Sequence, residues 1–190
     1  MIRRWTKFME KIIGGQEPVL RLYESYYREL VARELDLAAI DAGDKILCIG
    51  GGAVPCTAME LARRTRADIR VVDIDQLAVR RAGQLVARAG LEDRIKVCLA
   101  DGGSMNVDQY DVIHIALQVC PKEGVVRNIL GGCKAGCRVI IRQPRSYLAC
   151  FYSQLSRGLL EEYNLEEART RIKSLSATDQ ILVITKPRPC

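Results

Sequence analysis

The sequence holds one histidine, one tryptophan and two phenylalanines in 190 residues. No apolar run approaches the roughly 20 residues that a membrane-spanning helix requires. With so little histidine, few metal-ligand sets remain. His114 lies in an apolar stretch, away from the Cys133–Cys137 pair, and no third or fourth ligand follows that pair at cluster spacing. No metal site is expected. The basic start, Met1-Ile2-Arg3-Arg4-Trp5-Thr6-Lys7, leads to Glu10 and Gly14-Gly15 and not to a signal-peptide core, so a cytoplasmic protein is expected. There is no internal repeat, low-complexity tract or linker. Aromatic residues do not interleave with Arg63, Arg64, Arg66, Arg80, Arg81 and Arg88, so the net charge of +6 reads as solvated helix faces and not as a nucleic-acid surface.

What is present is ordinary globular composition, 48% hydrophobic and 27% charged, in a length suited to one α/β domain. Eight cysteines are many. Cys48, Cys98, Cys120 and Cys137 sit in or beside apolar runs, where reduced thiols pack as small hydrophobes.

Residues 1–40 read as a helical N-terminal segment. Pro18 suits a helix start, and Leu20, Tyr23, Tyr27, Leu30, Val31 and Leu35 recur at helical spacing. Residues 41–190 then alternate strand and helix. Strands are predicted at Lys45–Ile49, Ile69–Asp73, Ile95–Leu99, Asp111–Ala116 and Cys137–Arg142. Helices are predicted at Ala53–Arg64, from an Asp75 cap to about Ala89, at Pro121–Leu130 and at Tyr147–Leu160. A closing hairpin pairs Arg171–Leu175 with Ile181–Thr185. The implied architecture is a Rossmann-like, mostly parallel seven-stranded sheet with helices on both faces and an antiparallel C-terminal edge.

Three features fall at the carboxyl ends of adjacent predicted strands, where such sheets bind ligands. Gly50-Gly51-Gly52-Ala53-Val54-Pro55 joins the first strand to its helix and allows close backbone approach. Asp73 ends the second strand, where a carboxylate accepts from ribose hydroxyls. Asp101 follows the third, in reach of an adenine amino group. A dinucleotide fingerprint would place a third glycine where Pro55 stands, which argues for a cofactor without a pyrophosphate.

These segments resemble class I S-adenosylmethionine-dependent methyltransferases over Asp44–Lys186. Within that class they are most similar to nicotianamine synthase-like proteins. The resemblance rests on ILCIGGGAVPCTAMELA (Ile46–Ala62), VVDIDQLAV (Val71–Val79), YDVIHIALQVCPKEGVVRNI (Tyr110–Ile129) and RVIIRQPRSYLACFY (Arg138–Tyr152). It implies S-adenosylmethionine as cofactor, with Gly50, Gly51, Gly52, Ala53, Asp73, Ile74, Asp101, Gly102 and Ala116 around it. Methyl transfer is the class default, and aminocarboxypropyl transfer is what the synthase-like motifs imply. A third reading is a cofactor-binding subunit that needs a partner.

Two departures stand out. Ordinary methyltransferases carry an acidic residue where this chain has Cys48, and nicotianamine synthases have an N-terminal helical domain where about forty residues precede the first strand here. The N-terminal helix is the expected lid, with Tyr23 and Tyr27 as catalytic candidates beside Glu24 and Tyr26. His114 reads as a core or hydrogen-bonded histidine. Ala116-Leu117-Gln118-Val119 replaces the Asn/Asp-Pro-Pro-aromatic motif of nucleic-acid amino-methyltransferases. The expected partner is therefore a small-molecule acceptor, with neither membrane nor nucleic acid, and the lid helix is the segment that would carry homodimer contacts.

Overall fold

A computed structural model describes residues 17–148, 151–153, 155–163, 166–171 and 177–187. Helix α1 (Glu17–Ala38) leads into β1 (Lys45–Ile49), α2 (Cys56–Arg64), β2 (Asp68–Asp73), α3 (Gln76–Arg88), β3 (Ile95–Leu99) and β4 (Val112–Ile115). The chain continues through α4 (Lys122–Gly132), β5 (Arg138–Pro144), α5 (Arg157–Glu162), β6 (Glu166–Arg171) and β7 (Thr178–Thr185). One seven-stranded sheet results, in the order β3-β2-β1-β4-β5-β7-β6. Strands β1 to β5 are parallel, and β7 lies antiparallel between β5 and β6. Strand order reverses direction between β1 and β4, which opens a crevice at their carboxyl ends.

The pleat builds two apolar layers, because successive side chains point to opposite faces. From β1, Ile46 and Cys48 join Leu30 and Val31 of α1 and Ala58 and Leu61 of α2. Leu47 and Ile49 join Val126 and Ile129 of α4 on the other face. Each fully buried aliphatic side chain contributes about 1.5–3 kcal/mol. His114 neighbours Cys48 in the β1–β4 register and faces α1.

Local chemistry sets the ends of the elements. The Asp75 carboxylate caps α3, accepting from the Leu77 and Ala78 amides at 2.8 and 3.4 Å. Helix α1 ends at Ala39, which takes a left-handed φ of 45°. Arg138 donates to the Ala38 and Ala39 carbonyls at 2.9 and 2.6 Å and pairs with Asp44, tying that end to β5.

Three predicted boundaries shift. Helix α2 begins at Cys56 and not Ala53, because Gly52 to Val54 curl into a turn and Pro55 takes the N-cap position. The expected helix over Tyr147–Leu160 is a 3-10 turn at Ser146–Leu148 and the short α5, with residues 149, 150 and 154 outside the described residues. The first hairpin strand, β6, begins at Glu166, ahead of the expected Arg171–Leu175, of which residues 172–175 lie outside the described residues. Its sequence, Glu166-Glu167-Ala168-Arg169-Thr170-Arg171, is a charged edge with no apolar alternation to announce it. Cys120, expected among the packed thiols, is exposed, since it lies in the loop that enters α4 and not in a layer. Among the described residues no group of three His, Cys, Asp or Glu could hold a metal, and no helix is long and apolar enough to cross a membrane.

Candidate functional site

The glycine run is shaped by its own backbone. Gly50 and Gly51 both donate to the Val72 carbonyl, at 2.9 and 3.2 Å, which folds the turn back against β2. Gly50 and Gly52 take φ of 79° and 63°, where a side chain is strained. A Cβ on Gly51 would stand 2.2 Å from Val71 Cγ1, so residue 51 must be bare for the turn to pack. A Cβ on Gly52 would meet only Gln118 Nε2, at 3.9 Å, and would otherwise project into open space. Packing thus explains Gly51, and backbone conformation explains Gly52.

Asp73 is already joined to this turn. Its Oδ2 accepts from the Gly52 amide at 2.8 Å and its Oδ1 from the Asp75 amide at 3.0 Å. Each carboxylate oxygen keeps a further lone pair for a ligand. Ile74 follows and is 62% exposed. Asp101 is exposed after β3, with Oδ1 accepting from Gly103 at 2.8 Å. Gly102 is buried, and a Cβ there would reach 2.6 Å from Ile49 Cγ2.

Beside the glycine turn lies a partly open cavity. Gly50 to Ala58 form one wall, and Tyr27, Cys48, His114, Ala116, Gln118 and Arg142 form the rest. Gly50, Gly51, Gly52, Ala53 and Ala116 therefore line it, while Asp73, Ile74, Asp101 and Gly102 lie beyond it at the ends of β2 and β3. Tyr27 covers the cavity from α1, and its ring centroid lies 5.4 Å from the Arg142 guanidinium carbon. The Tyr23 side chain lies outside the described residues, as do those of Glu24 and Tyr26.

Behind the cavity wall is a buried polar cluster that the sequence reading missed. Arg142 donates through Nε and Nη2 to both oxygens of Glu34, at 2.7 and 2.8 Å. His114 Nε2 stands 3.2 Å from Glu34 Oε1. Burial would raise the Glu34 carboxyl, but attraction to Arg142 and His114 outweighs it and holds the group at about 2. With Glu34 ionised, the proton at this contact sits on His114 Nε2, which donates. Burial pushes His114 below its ordinary value against the pull of Glu34, so the ring is neutral near pH 7. Cys48 is pushed up to about 12, by burial first and Glu34 second, and is an inert thiol. The expected core histidine is thus present, but it also faces the cavity.

A signal for Glu34 existed. It follows Leu30 and Val31 at helical spacing and precedes Ala38, so it falls on the apolar stripe of α1. A carboxylate there must find a cation. Lys122 was missed as well. Its ammonium is fully buried and donates to the Leu117 and Arg142 carbonyls at 3.2 and 2.9 Å. Burial lowers it to about 8.

Comparison with known proteins fits this geometry. The family model described as nicotianamine synthase protein matches residues 8–169. The chain belongs to the nicotianamine synthase family. An L-histidine 2-aminobutanoyltransferase from Pseudomonas aeruginosa is 33% identical over 139 residues, which is 72% of this chain and 52% of that protein. A protein of the same name from Yersinia pestis is 25% identical over 166 residues, or 87% of this chain and 60% of the other. This nicotianamine synthase-family chain therefore spans about half to three-fifths of the length of those curated relatives. In fold it matches a crystal structure of an MtNAS variant in complex with S-adenosylmethionine, with a TM-score of 0.77 and 23% identity over 98% of this chain and 73% of that one.

Proposed function

We propose that this chain binds S-adenosylmethionine at the carboxyl ends of β1 to β4 and transfers its aminocarboxypropyl group to a small amine. The observation that carries the reading is the hydrogen-bonded unit of Gly52 and Asp73, set between an open ledge at β2 and β3 and a partly open cavity under α1. A Cβ on Gly52 would meet only Gln118 Nε2, at 3.9 Å, so the bare glycine leaves open space beside the turn for the cofactor.

The chain's own residues divide the work. Asp73 accepts from the ribose hydroxyls while its backbone bonds hold it in place. Ile74 offers an apolar surface to the adenine, and Asp101 accepts from the amino group. No side chain caps the start of α2; the Cys56 amide donates to the Val54 carbonyl at 2.9 Å, and the Thr57 and Ala58 amides of the same turn are offered to the carboxylate of the cofactor's tail. Tyr27 and α1 close the cavity, excluding water and orienting the acceptor. When bound, S-adenosylmethionine supplies a sulfonium whose neighbouring carbons are electrophilic. Attack of a neutral amine on the propyl carbon would form a C–N bond and break a C–S bond, leaving the electron pair on sulfur in methylthioadenosine and the positive charge on the alkylated nitrogen, which would release a proton to water.

Family membership and the names of the Pseudomonas and Yersinia relatives favour propyl over methyl transfer. The products separate the readings. Purified protein is incubated with S-adenosylmethionine and amine acceptors, L-histidine among them, and the nucleosides are resolved by chromatography. Methylthioadenosine is expected. S-adenosylhomocysteine would mean methyl transfer, and neither product would leave a cofactor-binding module that acts with a partner.

A further inference from the structure

We propose that Gln118 recognises the α-ammonium group of the cofactor's aminocarboxypropyl tail. The assignment rests on the cofactor reading above. Residues 116–119 form the loop after β4, and three of them, Ala116, Leu117 and Val119, are buried apolar residues. Val119 closes against the glycine turn so tightly that a Cβ on Gly50 would stand 2.6 Å from its Cγ2. Gln118 alone in this loop is exposed, and it lines the cavity.

Its amide orientation is chemically determined. The Gln118 amide lies 2.7 Å from the Gly50 carbonyl oxygen, which can only accept, so the NH2 end must face it. Anchoring the nitrogen on the glycine turn restricts where the amide can swing. The oxygen Oε1 is thereby held as an acceptor beside the turn, at low cost in side-chain freedom.

A cationic group in this cavity needs such an acceptor. Among the described side chains that line the cavity there is no carboxylate. Glu34, behind the wall, is committed to Arg142 and His114. Arg142 repels an ammonium, and the protonated Cys48 thiol accepts weakly. Neutral oxygens must do the work, and the one on Gln118 is exposed and anchored at the glycine turn.

The test compares two probes by titration calorimetry. S-adenosylhomocysteine carries the amino-acid tail, whereas 5′-methylthioadenosine shares its adenosine and lacks the tail. In Gln118→Leu, affinity for S-adenosylhomocysteine should fall about tenfold. Affinity for methylthioadenosine should stay within about twofold, which also reports that the variant is folded. Equal losses for both ligands would show that Gln118 only shapes the glycine turn, and no loss for either would remove it from the site. Both results overturn the assignment and leave the cofactor reading intact. Wild-type protein that binds neither probe overturns the cofactor reading, and this assignment with it.

Discussion

At the scale of single residues, the candidate ledge is built from carboxylates that already have backbone work to do. Asp73 joins the glycine turn to the start of α3 through two amides, so removing its side chain would disturb the turn as well as a ligand. Asp73→Asn is the cleaner probe, because it keeps the shape and one acceptor oxygen. It loses the charge that strengthens bonds to ribose hydroxyls, and it points an NH2 at one of two backbone donors. Affinity for S-adenosylhomocysteine should fall about ten- to a hundredfold, equivalent to about 1.5–3 kcal/mol. Calorimetry that returns wild-type affinity would sink the ribose assignment. These positions were legible because glycine and aspartate at strand ends are local signals. Glu34, His114 and Arg142 were not, because their contacts span 80 and 108 residues of sequence. Only folding β4, β5 and α1 together brings them into one cluster.

At the scale of elements, strand β1 lies where its apolar run placed it, since a parallel strand buried on both faces is continuously hydrophobic, and β3 lies where expected although it is an edge strand with Lys96 and Leu99 exposed. The start of β6 at Glu166 was missed because an edge strand need not be apolar. Helix α1 was legible as an amphipathic helix, but its buried stripe holds Glu34 among leucines and valine. Through Glu34 and Tyr27, two helical turns apart, α1 engages Arg142 at both the carboxylate and the aromatic ring. The helix is therefore fastened beside the cavity that it covers. Tyr27→Phe keeps the ring over the guanidinium and removes only the hydroxyl. If that hydroxyl touches the reacting groups, kcat should drop by about tenfold or more, while affinity for S-adenosylhomocysteine and the melting temperature stay near wild type. An unchanged kcat would assign Tyr27 to packing on Arg142 alone.

At the scale of the molecule, the Glu34 cluster makes folding sensitive to acid. The folded carboxyl titrates at about 2 against an unfolded value near 4.5. A depressed carboxylate contributes stability that is present above the unfolded value and lost as pH falls toward the folded one. That contribution is on the order of 3 kcal/mol, and it should disappear between about pH 5 and pH 2. His114 has the same sign, because a histidine buried in its neutral form is lost to protonation in the unfolded chain as pH falls through about 6.5. Urea unfolding across this range should therefore show stability that falls steeply with acid. Glu34→Gln removes the titrating group, but it strands the Arg142 charge in the interior at about 3–5 kcal/mol. The double variant Glu34→Gln, Arg142→Met removes that stranded charge and should recover much of the neutral-pH loss. Its stability should also depend less on pH between 5 and 2. A double variant with the wild-type acid slope would show that other carboxylates govern acid unfolding, and the Glu34–Arg142 pair would then have no such role.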